Sequence, residues 1–205
     1  MKKFLITILA LVPLTLWAQD NTWEHPEEEE EETKEETVNP DQNYLRGAVP
    51  LVDGKVVFSK TIEAPGKSAA QIYDILLKYM QKMTKEKNQI NSLVALTDSD
   101  KHMIAGRYEE WLVFKSVALW TDKTRLYYVL EVECQDGKAD INFCRVHYLY
   151  DEYRKPQRMT AEEWIVDKEA VNKKNTRLLP ISGKFRRKTI DRKDFLFNKF
   201  ETLLK

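Results

Sequence analysis

The sequence predicts an α+β domain in which an antiparallel sheet of about five strands carries its helices on one face. Three observations carry that prediction. Ile72, Ile75, Leu76, Tyr79 and Met83 recur at helical spacing. From Ser92 to Tyr150 the chain runs through β-rich stretches separated by turn residues, with no helical pattern between them. Two capping-box patterns, Ser68 with Gln71 and Thr160 with Glu163, mark helix starts on either side of that stretch.

At the N-terminus, Lys2 and Lys3 precede an apolar run from Phe4 to Trp17, and Ala18 follows it. A basic start, a short apolar core and a small residue at its end are the parts of a secretory signal. The run is shorter than the roughly 20 residues needed to span a bilayer. Residues 1–18 are therefore expected to be a cleaved signal peptide that leaves no transmembrane anchor. No cysteine follows the run to receive a lipid. Residues 19–43 have no apolar periodicity, and Glu27 to Glu32 form an unbroken acidic block. Charges this dense repel and bury nothing, so this leader is expected to be disordered. Tyr44 to Lys205 then forms one domain, long enough for a single core.

The formal net charge of zero conceals two opposite halves. Residues 19–43 hold eleven acids and one base, Lys34, whereas residues 44–205 hold 30 bases and 22 acids, a charge of +8. The acidic leader is thus one candidate partner of the basic domain.

Within the domain, "KVVFSKTIEAP" is expected to be the first strand, from its β-branched residues and its boundaries at Gly54 and Pro65. A helix over Ser68 to Lys85 follows. Next come "SLVALT", the turn "DSDK", "HMIAGRYEEWLVF", the break "WTDKT", "RLYYVLEVEC", the turn "QDGK" and "ADINFCRVHYLY". Asp136-Gly137 is a hairpin signal, because such residues tolerate the positive φ of a tight turn. "TAEEWIVDKEAV" is expected to be a short helix. Asp191 is expected to cap a last one, whose apolar stripe is Leu196, Phe200, Leu203 and Leu204.

The stretches "AVPLVDGKVVFSKTIEAPGKSAAQIYDILLKYM", "RYEEWLVF" and "GKFRRKTIDRKDFLFNKF" resemble a family of uncharacterised exported proteins of anaerobic Gram-negative bacteria. It is a domain-of-unknown-function family with a TATA-binding-protein-like fold. The resemblance implies that fold and an envelope location; it brings no activity and no catalytic residue. A fold shared with a DNA-binding protein is not evidence of DNA binding.

Two cysteines in an exported protein invite a disulfide. If Asp136 and Gly137 form the loop, paired positions sum to 273, which sets Cys134 opposite Ala139 and Cys144 opposite Val129 on different faces. Both thiols are therefore expected to be reduced. Strand alternation also sets Cys144 and His147 on opposite faces. Cys134 shares a face with His147 but lies roughly 26 Å along the strand at about 3.3 Å per residue. Neither pair makes a nucleophile and base. His25, His102 and His147 lack paired metal-ligand spacing, and neither metal nor cofactor is implied.

Glu131 and Glu133 share a strand face, as acid and base partners would, but also as the solvent face of any half-buried strand does. Glu109 and Glu110 alternate faces, so one of them must be paired, at an edge or lining a cavity. The rings of Tyr108, Trp111, Phe114, Tyr127, Tyr128, Phe143, Tyr148 and Tyr150 fall on both faces of the sheet. Either the segment from Arg154 to Leu179 and the last helix cover the second face, or an apolar surface is left for a ligand. Coverage is the preferred expectation, because aromatic core residues are the commoner case.

Lys184, Arg186, Arg187, Lys188, Arg192 and Lys193 are the candidate anion site. With Asp191 as N-cap, Arg192 and Lys193 would stand at a helix start, where anions bind. The expected function is an exported, non-catalytic binding or interaction domain of the bacterial envelope, periplasmic, surface-bound or secreted. Its expected partner is an envelope component, anionic if the basic run is its site. The alternatives are a carboxylate-dependent hydrolase-type enzyme and a nucleic-acid-binding protein. The compartment speaks against the latter, and no nucleic-acid partner is expected.

Overall fold

A computed structural model describes Trp23 and residues 39–205. The signal-like segment, the glutamate block and His25 lie outside the described residues. Seven strands form one sheet: β1 (Leu51–Val52), β2 (Lys55–Glu63), β3 (Leu93–Asp98), β4 (Met103–Val117), β5 (Trp120–Gln135), β6 (Lys138–Tyr150) and β7 (Gln157–Thr160). Their order is β1-β2-β6-β5-β4-β3, every pairing is antiparallel, and β7 adds to β6. β1 and β7 were not expected; they are two and four residues long, too short to show a period of their own.

The α1 helix (Ala69–Met83) forms where its capping box predicts, with the Ser68 hydroxyl accepting from the Gln71 amide and the Gln71 side chain accepting from the Ser68 amide. Its buried stripe is Ile72, Tyr73, Leu76, Tyr79, Met80 and Met83. The Thr160–Glu163 box likewise starts a helix, but α2 (Ala161–Trp164) is one turn long and α3 (Asp167–Ala170) follows separately. The α4 helix (Ser182–Leu204) differs most from expectation. It starts nine residues before Asp191, just after Pro180, so Asp191 lies mid-helix and caps nothing.

Helices α1 and α4 pack against the same face of the sheet, and α2 joins them through Ala161 and Ile165. The core forms between the two layers. Tyr108, Tyr128, Phe143 and Tyr148 are fully buried on this side, and Phe114, Tyr148, Tyr150 and Trp164 surround Phe185 of α4.

The Asp136-Gly137 turn and the 273 register hold, with Cys134 opposite Ala139 and Val129 opposite Cys144. Both cysteines are free, buried and on different faces. Beyond Cys144 a bulge shifts the register by one, with Arg145 at φ 55° and His147 opposite Tyr127. An inserted residue reverses the alternation of every side chain after it. His147 therefore leaves the face of Cys134 and joins that of Cys144, the reverse of the expected placement.

The turn expected at "WTDKT" is also displaced. Trp120 to Thr124 belong to β5, and the chain reverses at Ala118-Leu119.

Candidate functional site

The basic run does not converge on an open site. Arg186 and Arg192 are wholly buried. Arg186 donates to the carbonyls of Tyr44 (2.6 Å), Leu45 (2.6 Å) and Ile165 (2.7 Å) and to Asp167 Oδ1 (2.7 Å). It ties three chain segments to α4. Burial pulls its pKa down, and Asp167 opposes that shift. Arg187 lies over the Tyr44 ring and donates to Asp41 and to the Pro40 carbonyl. Lys184 donates to Asp122 Oδ2 (2.7 Å) and sits over the Phe114 and Tyr150 rings. Lys193 pairs with Asp194, and Lys188 is half-buried on the same helix. The sequence did hold a signal for this: Phe185, Thr189, Arg192, Leu196 and Phe200 recur at helical spacing, and all five are buried. Read as one stripe, they carry the helix back past Asp191 and put Arg192 inside.

Arg192 meets Glu110, which is 1% exposed on the core face of β4. Its Nε and Nη2 reach Glu110 Oε1 and Oε2 at 2.7 and 2.8 Å, a bidentate pair. Burial opposes the charge on Arg192, but Glu110 outweighs it and raises the guanidinium pKa. Tyr79, Tyr108 and Tyr128 ring this pair, and burial pushes all three phenols up. Trp23 covers it, 5.4 Å from the guanidinium and 5.8 Å from the Phe195 ring. Trp23 was expected to belong to a disordered leader; it is 7% exposed and part of the main core cluster. Contacts also begin before the boundary expected at Tyr44: Asp41 accepts from the Leu178 amide at 2.8 Å, and Asn39 donates to the Thr176 carbonyl at 2.8 Å.

On the other face, Glu109 accepts from Arg125 Nη1 at 2.7 Å, and Arg125 Nε also donates to Glu152 at 2.5 Å. Burial works against ionised Glu152, but the bonds from Arg125 outweigh it and hold the carboxyl below its usual range. The Glu109–Glu110 ambiguity thus resolves into two ion pairs, one on each face. Glu131 is half-buried with Arg145 3.7 Å away and Glu133 is exposed; with Asp140 both line a shallow groove of about 380 Å³. Burial pushes the Cys134 thiol up to about 12 and the Cys144 thiol up to about 11, with Glu131 adding to the latter. Neither resembles an activated nucleophile.

Among the described residues no helix covers this second face, contrary to the preferred expectation. Most rings point the other way; Trp111 and Tyr127 are the rings left here. Tyr127 and His147 stack at 4.5 Å, a contact that only the bulge permits. With Arg107, Glu109, Val129 and Arg145 they line a groove of about 400 Å³. A cleft of about 550 Å³ lies beside it, between Trp111, Trp120, Lys123, Leu149 and Tyr153. Trp111 is held under two cations, with Lys123 Nζ 3.9 Å and the Arg125 guanidinium 5.2 Å from its ring centre. Arg107 and Arg145 flank a floor of Val129 and the Tyr127–His147 stack. That arrangement can hold a flat or extended ligand with an anionic group; it contains no activated nucleophile. Among the described residues no three His, Cys, Asp or Glu side chains come together as metal ligands would.

The family model for a domain of unknown function (DUF4468) with TBP-like fold matches residues 58–149, which hold β3, β4, β5 and nearly all of β6. The crystal structure of a DUF4468 family protein from Bacteroides ovatus is 43% identical, covers 80% of this chain and 94% of its own, and superposes with a TM-score of 0.74. A TBP-like protein from Parabacteroides distasonis is 21% identical and covers 76% of this chain and 96% of its own, with a TM-score of 0.63; this likeness concerns the fold alone. No curated protein matches the chain.

Proposed function

Because the chain belongs to the DUF4468 family with its TBP-like fold, a family without an established function, we propose that it is an exported, non-catalytic binding domain that takes an anionic component of the bacterial envelope on its uncovered sheet face. The observation that carries this reading is the groove of Arg107, Tyr127, Val129, Arg145 and His147 on a face without helices. A rigid sheet with two arginines beside stacked rings offers charge and flat apolar area together. Two further facts support it. The candidate catalytic acids Glu109 and Glu110 are each bound to an arginine, Glu131 lies 3.7 Å from Arg145, and Glu133 is exposed. The signal-like start of the chain supports a location outside the cytoplasm.

The test uses the native host. Fractionation and the N-terminal mass of the protein report its compartment, and binding to isolated envelope is measured for the wild type and for an Arg107→Ala, Arg145→Ala double variant. The proposal expects a mature N-terminus near Gln19 and binding that salt and the double variant both weaken. An intact Met1 in the cytoplasm would refute the location. Turnover of an ester, peptide, glycoside or phosphate substrate, abolished by changing Glu109 or Glu131, would refute the non-catalytic part.

A further inference from the structure

Outward from Val113 and Lys123, strands β4 and β5 leave their neighbours behind. β6 ends opposite Thr124, and the segment 88–90 that flanks β4 ends opposite Trp111. What remains is a two-stranded ribbon reaching about 15 Å past the sheet at roughly 3.4 Å per residue. Its tip is apolar and bare. Leu119 is 95% exposed, Trp120 54% and Val117 39%, and Tyr153, 83% exposed, shares the cleft with Trp120.

Turn chemistry does not account for these residues. A two-residue hairpin turn ordinarily uses Asn, Asp or Gly for their positive φ, whereas Ala118 and Leu119 are neither turn residues nor at positive φ. Local rules broken without local gain point to a role for the side chains themselves. We propose that the ribbon tip inserts into the interfacial layer of an anionic lipid bilayer.

The order of residues back from the tip matches the layers of such an interface. Val117, Ala118 and Leu119 lead. The amphipathic rings Trp120 and Tyr153 follow, as in the aromatic belts of membrane proteins. Cations come next: Lys115 lies 5.9 Å from the Trp120 ring, and Lys123 lies over Trp111. The carboxylates at this level, Asp122, Asp151 and Glu152, are each paired, with Lys184, Arg154 and Arg125. Lys115 and Lys123 add to those pairs, so positive charge exceeds negative at headgroup depth, where anionic lipid attracts it. A second copy of the chain is the weaker occupant. Four side chains on a convex tip fall far short of the roughly 800 Å² per partner that a stable dimer buries.

The test is co-sedimentation of the chain from Gln19 onward, which retains every described residue, with vesicles of phosphatidylcholine alone or mixed equally with phosphatidylglycerol. Binding to the mixed vesicles, weaker binding to the neutral ones, and a loss of roughly tenfold or more in partitioning for Leu119→Asp and for Trp120→Ser are expected. Lys78→Ala, on the exposed side of α1, should leave vesicle binding unchanged, which separates the ribbon tip from a general attraction of cations to anionic lipid. Thermal melts of the tip variants should match the wild type, since neither Leu119 nor Trp120 belongs to the core cluster. Absence of pelleting with either vesicle, binding indifferent to Leu119→Asp, or a dimer in light scattering that Leu119→Asp dissolves would each overturn the proposal.

Discussion

At the scale of single residues, Arg192 and Glu110 lie nearly without water between the sheet and α4. Removing one partner of a buried pair leaves an uncompensated charge, so Arg192→Ala is expected to destabilise the domain by about 3–5 kcal/mol. Replacing both, as Arg192→Met with Glu110→Leu, should recover most of that loss, because two apolar residues leave no charge in the core. Urea unfolding of the two single variants and the double variant checks the cycle. The Cys134 and Cys144 thiols, pushed up to about 12 and 11 by burial, should react with a disulfide reagent at pH 8 far more slowly in the native than in the unfolded protein. The native mass should not change on reduction; a gain of two hydrogens would contradict the free cysteines. The cysteine register was readable from Asp136-Gly137 alone. The stripe of Phe185, Thr189, Arg192, Leu196 and Phe200 holds a sign that Arg192 is inside, but nothing local names a glutamate 82 residues away as its partner.

At the scale of elements, Gly106 stands on the core face of β4 directly under Tyr108. A Cβ there would fall 2.6 Å from that ring, so Gly106→Ala must displace a fully buried tyrosine. A loss of about 1–3 kcal/mol is expected, seen as a lowered urea midpoint with an unchanged slope. The element ends also carry a pH dependence. Glu163 is held low by the backbone and side chain of Thr160 in the α2 capping box, and Glu201 of α4 by Lys60 and Lys205. A folded-state pKa below the unfolded one means that the unfolded state binds more protons as the pH falls. The stability these groups contribute is present above the ordinary carboxylate pKa of about 4.5 and is lost as pH drops through their lowered folded values. Glu86, raised by burial, acts in the opposite sense. Urea midpoints at pH 7 and below pH 4 should therefore differ less for a Glu163→Gln, Glu201→Gln double variant than for the wild type. Both capping boxes were legible because a cap is a local hydrogen-bond pattern four residues long. The start of α4 was legible only through the stripe that begins at Phe185; the burial of Arg186 beside it depends on acceptors supplied by Tyr44, Leu45 and Ile165.

At the scale of the whole molecule, Trp23 reaches the core from a segment otherwise outside the described residues, and covers the Arg192 guanidinium and Phe195. Trp23→Ala, or deletion of residues 19–38, is expected to lower stability by about 3 kcal/mol. A thermal melt unchanged by both would mean that Trp23 contributes nothing. The open sheet face arises at the same scale. Alternation along β4, β5 and β6 put rings on both faces in a sequence reading. The bulge at Arg145 and the crowding of Phe114, Tyr148 and Tyr150 around Phe185 gathered most of them on one side. The other side kept a groove of stacked rings and arginines instead of a second core.

Local patterns specify the α+β class, the consecutive antiparallel strands β3 to β6, the capped start of α1 and the separation of the two cysteines. All of these follow from periods, caps and turns that act over a few residues. What the buried cations pair with, which sheet face stays open and what His147 stands beside come from the packed fold. Those outcomes depend on one inserted residue in β6 and on partners as distant in sequence as Glu110 and Arg192, and no local pattern encodes contacts of that range.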